Sequence, residues 1–187
     1  MPGSRDRRWT GRRRLAAAGV ILALALALAL AADLPWRAPQ QREVIGAARV
    51  VDGDSLRVEG VAIRLKGIDA PEMAQICQRA GAAYPCGREA RRHLQTLVGA
   101  APVRCRSEGL DRYRRRLAVC WAGERALNEA MVRDGWAVAY RDRAADALER
   151  EARSARRGLW AGEFERPADW RRVHAASAAG GEEPPDD

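Results

Sequence analysis

A chain of 187 residues and 20.5 kDa suits one compact domain with extensions, and 47% hydrophobic residues exclude disorder along its whole length. Aromatic residues reach only 5%, with six Trp and one Phe, which argues against a broad platform for stacking many bases. The net charge of +8 is unevenly spread: Arg5, Arg7, Arg8, Arg12, Arg13 and Arg14 stand against Asp6 at the start, and Lys66 is the only lysine. Basicity by itself is weak evidence for a polyanionic partner.

Leu15–Ala32 is an uninterrupted apolar run behind the arginine cluster, ending in Ala29-Leu30-Ala31 and Asp33. A basic start, an apolar run and a small-residue site form a secretory signal. The run exceeds the usual 7–15 residues of a cleaved signal and, at about 1.5 Å per residue, nearly spans a hydrocarbon core of roughly 30 Å. Residues 1–32 are therefore expected to be a signal peptide or a membrane anchor. With the arginines held inside, the rest of the chain is secreted, periplasmic or anchored facing outward. Residues 33–43 read as a polar, Pro-containing spacer, and 174–187 as a low-complexity disordered tail.

Between them, 44–173 reads as an α+β domain. Arg49–Leu65 predicts two strands around a Glu59-Gly60 turn, with Leu56, Val58, Val61, Ile63 and Leu65 on one face. Ala90, Leu94, Leu97 and Val98 form the stripe of a helix that begins after Cys86-Gly87 and stops at Gly99. Pro102–Arg106 and Leu117–Trp121 predict two further strands joined by the basic loop Asp111–Arg116. A second helix runs from about Leu127 to Gly135, and a third over Ala144–Arg157 with i,i+4 Glu/Arg pairs. A short helical turn is expected at Pro167–Arg172.

Four cysteines in an exported chain read as two disulfides, because spacings of eight and fourteen residues suit zinc poorly. Three pairings are open. Cys77–Cys86 with Cys105–Cys120 is favoured, since Cys105 and Cys120 lie on strands expected to be antiparallel neighbours. A bridge there closes a loop of about 15 residues, stabilising by roughly 3 kcal/mol on the chain-entropy estimate. Four buried free thiols are the alternative.

Asp-Gly-Asp at 52–54, Arg64, Asp69-Ala70-Pro71-Glu72 and Asp111–Arg115 are each unremarkable as turns, loops or surface charges. Together they hold carboxylates that suit Ca²⁺, arginines that neutralise a phosphate, and a carboxylate able to take a proton from water. Strand parity places Asp54 and Arg64 on opposite faces, so a bulge or a strand end must bring them together. His93 and His174 lie away from every motif.

From Arg49 to Trp160 the sequence resembles the staphylococcal nuclease-like (thermonuclease) domain. The resemblance rests on V-V-D-G-D-S, R-L-K-G-I-D-A-P-E, D-R-Y-R-R-R-L-A, L-N-E-A-M-V-R-D-G-W-A and the closing G-L-W. It implies a five-stranded OB-type β-barrel with three helices and Ca²⁺-dependent hydrolysis of DNA or RNA. Asp54 and Asp69, helped by the Ala70 carbonyl, are the implied metal ligands. Glu72 is the implied general base, and Arg64 and Arg115 the phosphate clamps. Arg112, Tyr113 and Tyr140 are the implied substrate contacts. The sequence departs from the family at Arg114, where Gly is usual. A monomer is expected, with a membrane as partner where the N-terminal segment is uncleaved. The rival reading is a non-catalytic OB module that binds nucleic acid at the outer face of the membrane.

Overall fold

The computed structural model describes residues 43–179, with side chains through His174. The expected signal or anchor at 1–32 lies outside the described residues, as does most of the spacer. Among the described residues no helix is long and apolar enough to cross a membrane.

The described residues begin with β1 (Glu43–Gly46) and β2 (Ala48–Val50), separated only by Ala47. Strands β3 (Ser55–Val58) and β4 (Val61–Leu65) follow as the expected hairpin, its two-residue loop carrying positive φ at both Glu59 and Gly60. After the short β5 (Ile68–Asp69), strands β6 (Cys77–Arg79) and β7 (Ala82–Tyr84) form a second hairpin. Helix α1 (Cys86–Val98) leads to β8 (Val103–Leu110) and β9 (Arg116–Ala122). Then come β10 (Arg125–Ala126), α2 (Leu127–Arg133), β11 (Val138–Ala139) and α3 (Arg143–Ser154). A 3-10 turn at Gly158–Ala161 and helix α4 (Pro167–Ala179) end the described chain.

The main sheet runs β1-β8-β9-β4-β3-β2. Because β1 and β2 are two halves of one strand bent at Ala47, the path returns to its own beginning. The bend is held by the Glu59 side chain, whose Oε1 accepts from the Ala47 N–H at 2.7 Å, while Glu59 donates its own N–H to the Ala47 carbonyl. Bending one strand so that each half pairs on a different side gives five strands the circular order of an OB-type barrel. All pairings are antiparallel except β4 with β9, which sets Arg64 beside Leu117.

Alternation along the strands sends Leu56, Val58, Ile63, Leu65, Val103 and Ala118 inward, where α1 (Ala90, Leu94) and α2 (Leu127, Met131, Val132) close the core. Buried Asn128 in α2 is the polar tie of that core. It donates to the Lys66 and Ala118 carbonyls at 2.8 and 3.1 Å and accepts from the Cys120 N–H at 3.0 Å. Both disulfides take the favoured pairing, Cys77–Cys86 and Cys105–Cys120, with no free cysteine among the described residues. Cys105 and Cys120 stand directly opposite across β8 and β9.

Two expectations need correction. The described residues hold four α-helices rather than three, and the helix expected to stop near Arg172 continues to Ala179, into the stretch read as a disordered tail. The cause is local: Ala-Ala-Ser-Ala-Ala is low in complexity but rich in the residue that most favours helix. The β6–β7 hairpin was not anticipated either, because its strands are three residues each and carry no alternation.

Replacing Asn128 with Ala leaves the Lys66 carbonyl and the Cys120 N–H without this partner, while the Ala118 carbonyl keeps the Lys66 N–H at 2.9 Å. It should lower unfolding free energy by about 2–4 kcal/mol, read as a reduced denaturant midpoint at unchanged slope.

Candidate active site

The bend at residues 52–54, just ahead of β3, answers the parity problem. Asp54 is not a strand residue but sits where the chain turns in, its N–H donating to Asp52 Oδ1 at 3.0 Å. Gly53 permits this, since a Cβ there would lie 2.6 Å from the Ala70 Cβ and 3.0 Å from the Ala90 Cβ. Arg64 faces Ser55 across the hairpin and reaches past it to Asp54. Its Nη1 lies 2.6 Å from Asp54 Oδ1 and its Nη2 2.9 Å from Asp69 Oδ1. Asp69 is fixed on the rim by the pairing of β5 with β11. The other Asp54 oxygen accepts from the Ala70 N–H at 3.1 Å, and Oδ1 also accepts from the Ser55 hydroxyl.

These carboxylates are almost sealed, Asp54 at 4% and Asp69 at 1% exposure. Burial pushes the Asp54 carboxyl up to about 7, helped by Asp52 and Asp69 and opposed by Arg64 and the Ala70 N–H. Burial also works against the Arg64 charge, but Asp54 and Asp69 outweigh it and hold its proton more tightly than usual.

Glu72 follows in a loop seated on the start of α1. Gly87 makes that seat possible, because a Cβ there would fall 1.7 Å from the Glu72 carbonyl oxygen. Fully buried Gln75 braces the loop, accepting from the Glu72 N–H and donating to the Glu165 carbonyl at 2.7 Å. The Glu72 carboxylate is half-exposed and pairs with Arg171 of α4, whose Nη1 lies 2.7 Å from Oε1. Arg171 also forks onto Asp69, at 3.1 and 2.8 Å. Sequence reasoning missed this arginine. In a chain with 33 basic residues, nothing in Trp170-Arg171-Arg172 separates it from surface charge.

The opposite wall is the turn between β8 and β9. Asp111 Oδ1 accepts from the Tyr113 and Arg115 N–H groups, and Oδ2 accepts from Arg115 Nε at 2.7 Å. Burial pushes the Asp111 carboxyl up, but the hydrogen bonds and charge of Arg115 and the Tyr113 N–H together outweigh it and hold it below the ordinary range. Arg115 Nη1 then donates to Ser55 Oγ at 3.1 Å, tying the turn to the Asp54 side. Of the three consecutive arginines, Arg115 lines the cleft, Arg114 is exposed at φ +63°, and Arg116 begins β9. Tyr113 is 64% exposed with the Arg112 guanidinium 4.7 Å from its ring centre, and Tyr140 is 43% exposed with Arg141 beside it.

The cleft encloses about 780 Å³. Asp54, Arg64, Ala70, Glu72, Arg112, Tyr113, Arg115 and Tyr140 all line it. Asp69 does not, because Arg64 and Arg171 cover it. Neither histidine takes part. His93 bonds Asp134 at 2.8 Å, and His174 stacks on Trp170.

Asp54 and Asp69 offer hard oxygen donors of the kind Ca²⁺ prefers, and the burial that raises the Asp54 carboxyl is relieved by a cation. Among the described residues no three His, Cys, Asp or Glu side chains gather as a ready-made metal cage. The residues present fit a calcium ion held by two carboxylates, with main-chain carbonyl and water oxygens completing its shell.

The family model described as "Staphylococcal nuclease homologue" matches residues 62–162, over half the chain. The chain belongs to the staphylococcal nuclease family. It is 33% identical to a micrococcal nuclease of Shigella flexneri over 178 residues, covering 84% of this chain and 95% of that protein. It is 34% identical over 126 residues to the succinoglycan biosynthesis protein ExoI of Rhizobium meliloti (strain 1021), covering 63% and 64% of the two chains. A probable staphylococcal-like nuclease of Oryza sativa subsp. japonica is 36% identical over 115 residues, 59% of this chain but only 28% of that one. The chain thus spans less than two thirds of the length of these last two relatives. Helix α4 lies beyond the family match.

Arg114 takes a left-handed conformation that costs a side-chain-bearing residue about 1 kcal/mol. Arg114→Gly should therefore stabilise the fold by about 0.5–1 kcal/mol in chemical denaturation, leaving the Asp111–Arg115 contacts intact.

Proposed function

We propose that the protein is a hydrolase of the thermonuclease type, an exported, Ca²⁺-dependent endonuclease that cuts phosphodiester bonds of DNA or RNA. The observation that carries this reading is the meeting of the Glu72 carboxylate with the Arg64 and Arg115 guanidinium groups around one open cleft. Glu72, on a loop exposed to solvent, accepts a proton from the attacking water. Arg115, aimed by Asp111 and Ser55, donates to a phosphate oxygen and holds the charge that builds as phosphorus becomes five-coordinate. Arg64, anchored on two carboxylates, presents its remaining donors from the other side. When bound by Asp54, Asp69 and the Ala70 carbonyl, Ca²⁺ supplies further positive charge to the phosphate and to the water. Tyr113, Arg112 and Tyr140 flank the cleft with exposed rings and a cation suited to flexible or single-stranded substrate.

Export rests on the sequence of residues 1–32 and is supported by two disulfides, which persist in oxidising compartments. On this reading the domain at 44–173 acts as a monomer outside the cytoplasm, tethered to the membrane if the leading segment is retained. A barrel that only bound nucleic acid would have no use for two carboxylates sunk beside a half-exposed third.

Incubating the purified chain with DNA should give cutting with Ca²⁺ and none with excess chelator. Glu72→Gln and Arg115→Ala should each lower turnover at least about 100-fold while circular dichroism stays unchanged. Parental rates in either variant would remove that residue from the mechanism, and undiminished cutting in chelator would remove the metal.

A further inference from the structure

Arg171 is the one cation of the cleft that comes from outside the family match, which ends at Gly162. Its placement is built. The chain ahead of α4 pairs with the β6–β7 hairpin, Gln78 and Glu163 exchanging backbone hydrogen bonds at 2.9 Å each way. That hairpin is closed by the Cys77–Cys86 disulfide, and Phe164 packs on the small core around it. Gln75 holds the Glu165 carbonyl with the same side chain that receives the Glu72 N–H. Arg166 pairs with Glu149 of α3, and buried Pro167 opens the helix. Within two turns of that anchor, Arg171 reaches Asp69 with both terminal nitrogens and Glu72 with one of them.

The three hydrogen bonds of Arg171 engage the two carboxylates on which the proposed reaction depends. Both Asp69 oxygens accept from Arg171, so a cation approaching that carboxylate meets a guanidinium already in contact with it. The Glu72 oxygen that accepts from Arg171 is likewise withheld from water. Asp69 already carries Arg64 on Oδ1 and Arg171 on both oxygens, so a divalent cation drawn to it is repelled by both guanidinium groups, and the more exposed Arg171 is the one free to leave.

We propose that Arg171 is an internal counter-cation: helix α4 holds it on Asp69 and Glu72, and Ca²⁺ must displace it to bind. Arg171 thereby sets the calcium concentration at which the site becomes competent. It is a positioning residue, acting through Asp69 and Glu72 rather than on the phosphate. The proposal rests on the reading of Asp69 as a cation ligand and Glu72 as the base.

Calcium chloride alone, titrated calorimetrically into the full chain without nucleic acid, tests this. Arg171→Gln should bind Ca²⁺ about three- to tenfold more tightly than the parent, the scale of removing a part-exposed competing ion pair. Arg171→Lys, which keeps the charge but loses the fork, should fall between them and provides the comparison should the Gln variant fold poorly. Equal or weaker binding by Arg171→Gln, or by Arg171→Lys where only that variant folds, overturns the proposal while the metal reading stands. Absence of Ca²⁺ binding in parent and variants alike overturns both.

Discussion

Asp54 and Asp69 are held in near-complete burial beside the cleft, and most of the site follows from keeping them there. An isolated carboxylate in such a place loses several kcal/mol of hydration, and breaking a buried pair by deleting one partner typically costs about 3–5 kcal/mol. Arg64 resolves this by bridging both. For that it must stand on β4 opposite Ser55, which demands the tight Glu59-Gly60 turn and the chain bend at 52–54. The remaining lone pairs of Asp54 are met by the Ala70 N–H and the Ser55 hydroxyl and those of Asp69 by Arg171, so the cluster is satisfied from backbone and side chain together.

The two walls of the cleft are rigid for different reasons. On one side, Gly53 and Gly87 let the bend and the Glu72 loop press on Ala70, Ala90 and the start of α1 at distances no side chain would allow. On the other, the turn carrying Tyr113 and Arg115 is wound around Asp111 and closed at the base of its strands by Cys105–Cys120. The Ser55 hydroxyl joins them, donating to Asp54 and accepting from Arg115. A charge-stabilising arginine gains most when its orientation is set before substrate arrives, and here both its carboxylate partner and its hydroxyl partner are in place.

Much of this is legible from residue order. The β3–β4 hairpin, the two long strands β8 and β9, the first three helices and the cysteine pairing follow from alternation, helical stripes and glycine stops. Of the residues the motifs single out, Asp54, Arg64, Ala70, Glu72, Arg112, Tyr113, Arg115 and Tyr140 line one cleft, and Asp69 lies covered beside it. What was not legible depended on tertiary context. Parity separates Asp54 from Arg64 until the bend is seen. The β6–β7 strands are too short for any period, and their pairing is fixed by the disulfide and by Glu163. Asn128 looks like an ordinary helix residue until its three backbone partners are known. Arg171 is hidden among arginines whose contacts only the packed helix decides.

The character of the group on Asp69 also bears on how a metal-free site stays folded. Asp52, Asp54 and Glu72 line the cleft with Asp69 covered behind Arg64 and Arg171, and Arg64 alone would leave these carboxylates with excess negative charge. An apolar lid would bury that excess unpaired. A second metal-like cage would need ligands that the chain does not gather among its described residues. A guanidinium on a partly exposed helix neutralises the cluster, forks onto a carboxylate with good geometry, and still retains 37% side-chain exposure from which water can receive it on release. Arginine at this position therefore neutralises deeply buried carboxylates and braces the Glu72 loop against α4, while its own exposure leaves room for the exchange with a cation proposed above.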